Sequence, residues 1–179
     1  MSLKSIFIIL LTALIGLANA DAPAVLNGLR TVEGDLSSLE QAIEATDDRL
    51  RTLLAVIHYE GVLETDIQVT TFHVRDSPLF NDLDSKAVTE TAMKMKPAIE
   101  GYLKTAVAKK PVFEHLSYHE IIVASIRFFQ ANTNRLGKAL QDKVDVANAK
   151  AIQECSDKLN ESFVQAIAAL DPVEWIAHA

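Results

Sequence analysis

Apolar residues in the first part of the chain fall alternately four and three residues apart: Val25, Leu29, Val32, Leu36, Leu39 and Ile43. That spacing marks one face of a helix. A seam of so few turns suits a bundle face better than a two-stranded coiled coil. Gly28 and Gly34 lie within it, each weakening a helix by about 1 kcal/mol relative to alanine. Thr46, followed by Asp47 and Asp48, predicts a break and a new N-terminus with acidic residues in its first turn. The second helix carries Leu50, Leu53, Leu54, Ile57, Leu63 and Ile67. Its stripe is ragged, because Glu60 falls among the apolar positions and Gly61 follows.

A third helix is expected from Asp84 or Ser85, after a loop marked by Asp76-Ser-Pro78 and Asn81-Asp82. Val88, Ala92, Met95 and Ile99 set its buried face, and Pro97 inside the pattern predicts a kink or short break. The helix continues through Tyr102, Leu103, Ala106 and Val107, and Pro111 stops it. Ser117 and Glu120 read as an S-x-x-E capping box, with Leu116 and Ile121 at the staple positions around it. The fourth helix then buries Ile122, Ile126, Phe129, Thr133, Leu136 and Leu140. A fifth runs from about Asp145 through Ile152, Cys155, Leu159, Phe163, Ala166 and Ile167 to Leu170. Asp171, Pro172 and Glu174 predict one last turn. No alternating β-branched segment bounded by hairpin turns is present. The reading is an all-α, five-helix up-and-down bundle.

Ahead of this bundle the chain carries secretory features. Lys4 supplies a positive start, Ile6 to Leu17 an apolar run, and Ala18-Asn19-Ala20 an A-x-A cleavage site. The run is short of the ~20 residues that span a bilayer. Residues 1–20 are therefore expected to be a signal peptide, and residues 21–179 one domain. The closing Trp175-Ile-Ala-His-Ala179 is no apolar tail, so neither a GPI anchor nor a transmembrane anchor is expected in the mature protein. The formal net charge is -7, and losing Lys4 makes it one unit more negative. An acidic surface argues against nucleic acid and against an anionic membrane face. Cys155 is the single cysteine, so no internal disulfide can form and the fold must rest on its apolar core. Its spacing with Ile152, Leu159 and Phe163 reads as a small buried hydrophobe; an intermolecular disulfide is the alternative.

Candidate chemistry is sparse. His115 and His119, with Glu114 and Glu120, suggest a metal pair, but Leu116 follows His115 where H-E-x-x-H requires glutamate. The predicted helix start at Ser117 also leaves His115 outside the helix, so the two imidazoles share no fixed face. No metal site, cofactor site, G-x-S-x-G elbow, phosphate loop or EF-hand is expected, and no nucleophile, base and orienter can be assembled. Asn160-Glu-Ser162 is a glycosylation sequon placed mid-helix, which leaves its occupancy open.

The segment Leu103 to Phe113, with its Ala-Lys-Lys-Pro-Val-Phe core, resembles the fungal hydrophobic surface-binding protein A family, which includes cell-wall galactomannoproteins. So do Leu136-Gly-Lys-Ala-Leu-Gln-Asp-Lys-Val144 and Phe163-Val-Gln-Ala-Ile167. The similarity covers roughly the whole secreted part, with its best-matched segments between Lys96 and Ile167. It implies a secreted helical protein that binds hydrophobic surfaces or encloses fatty acyl chains, localised extracellularly or in the cell wall, with cell-wall polysaccharide as a further partner. The chain departs from the family in lacking a Ser/Thr-rich stalk and anchor, and in carrying more charge and larger aromatics. Pocket residues are fixed by no motif and are not transferred.

An acyl chain needs a long apolar slot with a polar donor near one end. By helical period, the third helix offers Met95 and Ile99 to such a slot. The fourth offers Ile122, Ile126, Phe129 and Leu136, and the fifth Leu159 and Phe163. Ser125 and Thr133 lie on the same side as Phe129 and are the candidate donors, although a helical hydroxyl can also bond the carbonyl four residues back. The leading reading is a non-catalytic binder of fatty acid, other lipid or hydrophobic surfaces. The alternative is a cell-wall structural or host-interaction protein with a fully packed core.

Overall fold

Three of the helices begin where a side chain offers an acceptor to their unpaired first-turn amides. Asp21 Oδ1 accepts from the Ala24 amide at 3.1 Å, Asn81 Oδ1 from Asp84 at 2.9 Å, and Asp145 Oδ1 from Asn148 at 3.0 Å. These open α1 (Ala22–Glu44), α3 (Asp82–Ala108) and α6 (Val146–Leu170) in the computed structural model, which describes residues 21–171. The other elements are α2 (Leu50–Asp76), α4 (Lys110–His115) and α5 (His119–Gln141). The expected signal peptide and the last turn beyond Asp171 lie outside the described residues. Within them the chain is all-helical, with six helices rather than five.

The extra helix comes from Pro111. It stops α3 as expected, but its fixed φ also suits a helix's first turn, and it sits there in α4. The expected Ser117/Glu120 capping box does not form. Ser117 adopts φ 54° and Tyr118 caps α5 without any side-chain bond. Ser117 instead closes α4: its amide donates to Glu114 O at 3.1 Å, and that of Tyr118 to Phe113 O at 2.8 Å. Those two bonds around a left-handed residue form a Schellman stop, completed by the apolar contact of Phe113 with Tyr118, ring centroids 6.2 Å apart. Thr46 is likewise no N-cap. Its hydroxyl donates to Ala42 O at 2.9 Å, and α2 opens later, from Arg49, without a side-chain cap. Pro97 causes no break, since α3 runs unbroken through it.

Packing arranges the five long helices as a closed ring in the order α1, α2, α5, α6, α3 and back to α1, with α4 against α3 and α5. The up-and-down order is thus modified: α2 and α3, consecutive in sequence, are not ring neighbours. All six residues of the predicted α1 seam are buried, as are Ile122, Ile126, Phe129, Leu136 and Leu140 of α5. A ladder of T-shaped ring contacts crosses the interior. Tyr102 meets Phe129 at 5.5 Å and Phe129 meets Phe163 at 5.3 Å between centroids. At the C-terminal end of α6, Lys110 Nζ donates to Ala169 O at 3.0 Å and His119 Nε2 to Leu170 O at 2.7 Å, where carbonyls lack helical partners.

Candidate functional site

The inward face of α2 holds Leu53, Val56, Glu60, Leu63 and Ile67, again alternately three and four residues apart. Four of these are apolar and buried; the fifth is a half-buried carboxylate. Leu50, Leu54 and Ile57, counted into the stripe from sequence, lie on the other side and are exposed. Glu60 therefore occupies a seam position, and no large side chain fills the space beside it.

There a cavity of ≈ 310 Å³, open to solvent at its rim, lies between α2 and α5. Its floor is Leu39 from α1, Leu63 and Ile67 from α2, Tyr102 from α3, and Phe129 and Asn132 from α5, all buried. Its rim is Glu60, Glu64, Ala124, Ser125 and Phe128, of which Ala124 and Phe128 are exposed. Tyr118 O–H donates to Glu60 Oε2 at 3.4 Å, while Glu60 Oε1 is buried and without a hydrogen-bond partner. Burial pushes the Glu60 carboxyl up to about 7; Ser125 and Tyr118 pull the other way without offsetting it. The same environment raises both phenols. Tyr102 and Tyr118 are held above the usual phenol range first by burial and next by the nearby Glu60 charge.

Seven of the ten sequence-predicted slot residues line one of two separate spaces, and three line neither. Ser125 and Phe129 line the large cavity. Met95, Ile99, Thr133, Leu136 and Leu159 surround a void of only ≈ 40 Å³ between α3, α5 and α6, together with the free, half-buried Cys155. Ile122, Ile126 and Phe163 are fully buried and line neither space. A third hollow of ≈ 290 Å³ lies outside α3 and α6, edged by exposed Lys104, Gln165 and Ala169. Asn160 of the sequon is engaged, its Oδ1 accepting from Gln130 at 3.0 Å and Asn134 at 2.9 Å. Sequence reasoning singled out Ser125 on the rim of α5 but missed Glu60, Leu63, Ile67, Tyr102, Asn132, Ala124 and Phe128. The signal was the even spacing around Glu60, which marks a polar residue at an inward position.

A family model described as Hydrophobic surface binding protein A matches residues 22–142, from α1 to just past the end of α5. Among solved structures, Afmp4p in complex with palmitic acid is 28% identical with a TM-score of 0.83, over 84% of this chain and 100% of that one. Ligand binding domain 1 of the Penicillium marneffei MP1 protein, complexed with arachidonic acids, is 14% identical with a TM-score of 0.77, over 84% of this chain and 99% of that one. Ligand binding domain 2 of the same protein, complexed with multiple arachidonic acids, is also 14% identical, with a TM-score of 0.75, over 84% and 96%. The last two likenesses show the shared fold. No curated protein matches the chain.

Proposed function

Because this chain belongs to the hydrophobic surface binding protein A family, we propose that it is a secreted, non-catalytic lipid-binding protein whose cavity between α2 and α5 encloses a fatty acyl chain. The observation that carries this reading is the ≈ 310 Å³ space itself, walled by apolar side chains and polar at one corner of its rim. Ligand pockets run from about 300 to 1,000 Å³ with a few convergent polar groups, so the space suits one acyl chain with its head at Glu60, Tyr118 and Ser125. Buried Leu39, Leu63, Ile67 and Phe129 contribute the burial energy, at roughly 25 cal/mol per Å² of ligand apolar surface removed from water. The likeness to Afmp4p in complex with palmitic acid supports the same class of ligand.

Ala124 offers a way to close the mouth without touching the floor, because it lines the cavity yet is exposed. Ala124→Trp is expected to lower uptake of a fluorescent fatty acid by at least about tenfold, roughly 1.4 kcal/mol, while helicity by circular dichroism is unchanged. Native mass spectrometry of the same pair should show a co-purified acyl chain on the wild type only. Unchanged uptake would move the lipid out of this cavity. The ≈ 40 Å³ void between α3, α5 and α6 is too small for it, so the outer apolar face of α2 would be next.

A further inference from the structure

The residues lining the cavity include two glutamates, Glu60 and Glu64, and no lysine, arginine or histidine. A carboxylate brought into an apolar slot needs a cation or several donors to replace its water. Here a cation is missing from the wall, and the head-group corner is occupied by another carboxyl. Two carboxylates held side by side cannot both stay ionised.

Resting on the lipid-binding reading above, we propose that Glu60 reads the ligand's head group: its neutral carboxyl donates a hydrogen bond to the head-group oxygen of a bound acyl ligand, and its ionised form rejects a carboxylate. Glu60 lines the cavity, and its Oε2 accepts from the Tyr118 hydroxyl at 3.4 Å. Its Oε1 is buried and completes no hydrogen bond, although the Ser125 hydroxyl lies close enough to pull the carboxyl down. Turned toward the cavity, that oxygen is the one left to meet a ligand. The groups facing it are Ser125 from α5, Tyr118 from the joint before α5, Tyr102 from α3 and Glu64 from α2; α1 contributes Leu39, which does not titrate. Both phenols stay neutral throughout the physiological range, because burial raises them. Glu60, raised by burial to about 7, changes charge there. The cavity therefore takes a fatty acid when one proton is shared between the two carboxyls, and loses it as Glu60 ionises. An uncharged head such as an alcohol can donate to the ionised Glu60 and binds on both sides of that transition.

Displacement of Nile red by dodecanoic acid and by 1-dodecanol, between about pH 6 and about pH 8.5, tests this. Wild-type affinity for the acid should fall at least about tenfold over that range while that for the alcohol changes less than about twofold. Glu60→Gln keeps a neutral donor at every pH, so its affinity for the acid should stay within about threefold. An equal fall in wild type and variant would trace the pH dependence to the ligand or another residue and overturn the proposal. The wild type gives a second reading that needs no variant. The carboxyl carbon of ¹³C-labelled dodecanoic acid, followed by NMR in the complex, should titrate well above the ordinary carboxylate range. An ordinary titration there also overturns it. If neither lipid displaces Nile red at any pH, the lipid-binding reading fails and this inference with it. Displacement that ignores both pH and Glu60 removes the inference alone.

Discussion

Helix α5 is flanked by two walls of opposite character. Toward α6 and α3 it meets Phe163 and Leu159, and the aromatic ladder leaves a void of only ≈ 40 Å³. Toward α2 it meets Glu60, Leu63 and Ile67 across ≈ 310 Å³. The same helix, with one regular apolar face, thus makes a packed core on one side and a cavity on the other. The difference lies in the partner. The inward positions of α6 are all apolar, with Ile152, Leu159, Phe163 and Leu170 the large ones, whereas α2 places a carboxylate and, further along, Thr70 and Thr71 in its seam. Room for a ligand here depends on what the ligand's side of the ring leaves unfilled.

Truncation on each wall gives the largest effect and the sharpest contrast. Phe163→Ala should cost about 3–5 kcal/mol, because the space it vacates is surrounded by residues already in contact. Leu63→Ala removes atoms that already border a cavity and should cost nearer 2 kcal/mol. Chemical denaturation of both variants checks the ordering. Equal losses would mean that the α2 wall is packed as firmly as its counterpart.

The position of α2 is set on its other flank by Gly28. A Cβ there would lie 2.6 Å from Thr70 Oγ1, so glycine permits the close approach of α1 and α2. Gly28→Ala should destabilise by about 1–3 kcal/mol through overpacking, with recovery on adding Thr70→Ala. Gly34→Ala meets nothing within 4 Å and should instead stabilise by about 1 kcal/mol. If both alanines stabilise, α1 and α2 are not held together at that point.

A further modest effect is on pH dependence. Glu60 is raised to about 7, and Asp35 to about 6 by burial and by Asp66 beside it. In the unfolded chain both return toward ordinary carboxyl values near 4, so between there and about pH 7 the folded state holds more protons. Stability contributed by these groups is complete below that window and is lost as pH rises through about 6 and 7. The denaturation midpoint should therefore be higher near pH 5 than near pH 8. Glu60→Gln should recover about 1–2 kcal/mol of the difference. A midpoint indifferent to pH would place Glu60 in water and leave the two walls electrostatically alike.

Much of this was legible in the residues, and unevenly so. The α1 seam and most of the α5 stripe were read correctly because nearly all their inward positions are apolar and the period shows through; Thr133, expected to be buried, is half-buried, and Asn132 beside it is buried instead. The α2 seam was not, because its outward face carries Leu50, Leu54 and Ile57 while its inward face carries Glu60. Hydrophobic counting mixes the two sides of such a helix: Leu53, Leu63 and Ile67 of the counted stripe do face inward. Ser117 misled for a related reason: an S-x-x-E string fits a capping box, but φ is decided by the Schellman stop of α4, and no local pattern distinguishes a serine there from a cap. The cavity itself depends on which helices become neighbours in the ring, and pairing of α2 with α5 across the length of α3 and α4 is not written in either helix alone.

That ring order also has a consequence for biogenesis. Synthesis delivers α1, α2 and α3 first, and the contacts of α1 with both can form at once. The surface they leave uncovered includes Leu39, Leu63, Ile67 and Tyr102, the future floor of the cavity. Only when α5 emerges can it be roofed, and α6 must follow before the circuit closes. Until then the nascent chain exposes a greasy, half-built trough, the kind of surface that holding factors recognise and that drives association between unfinished copies.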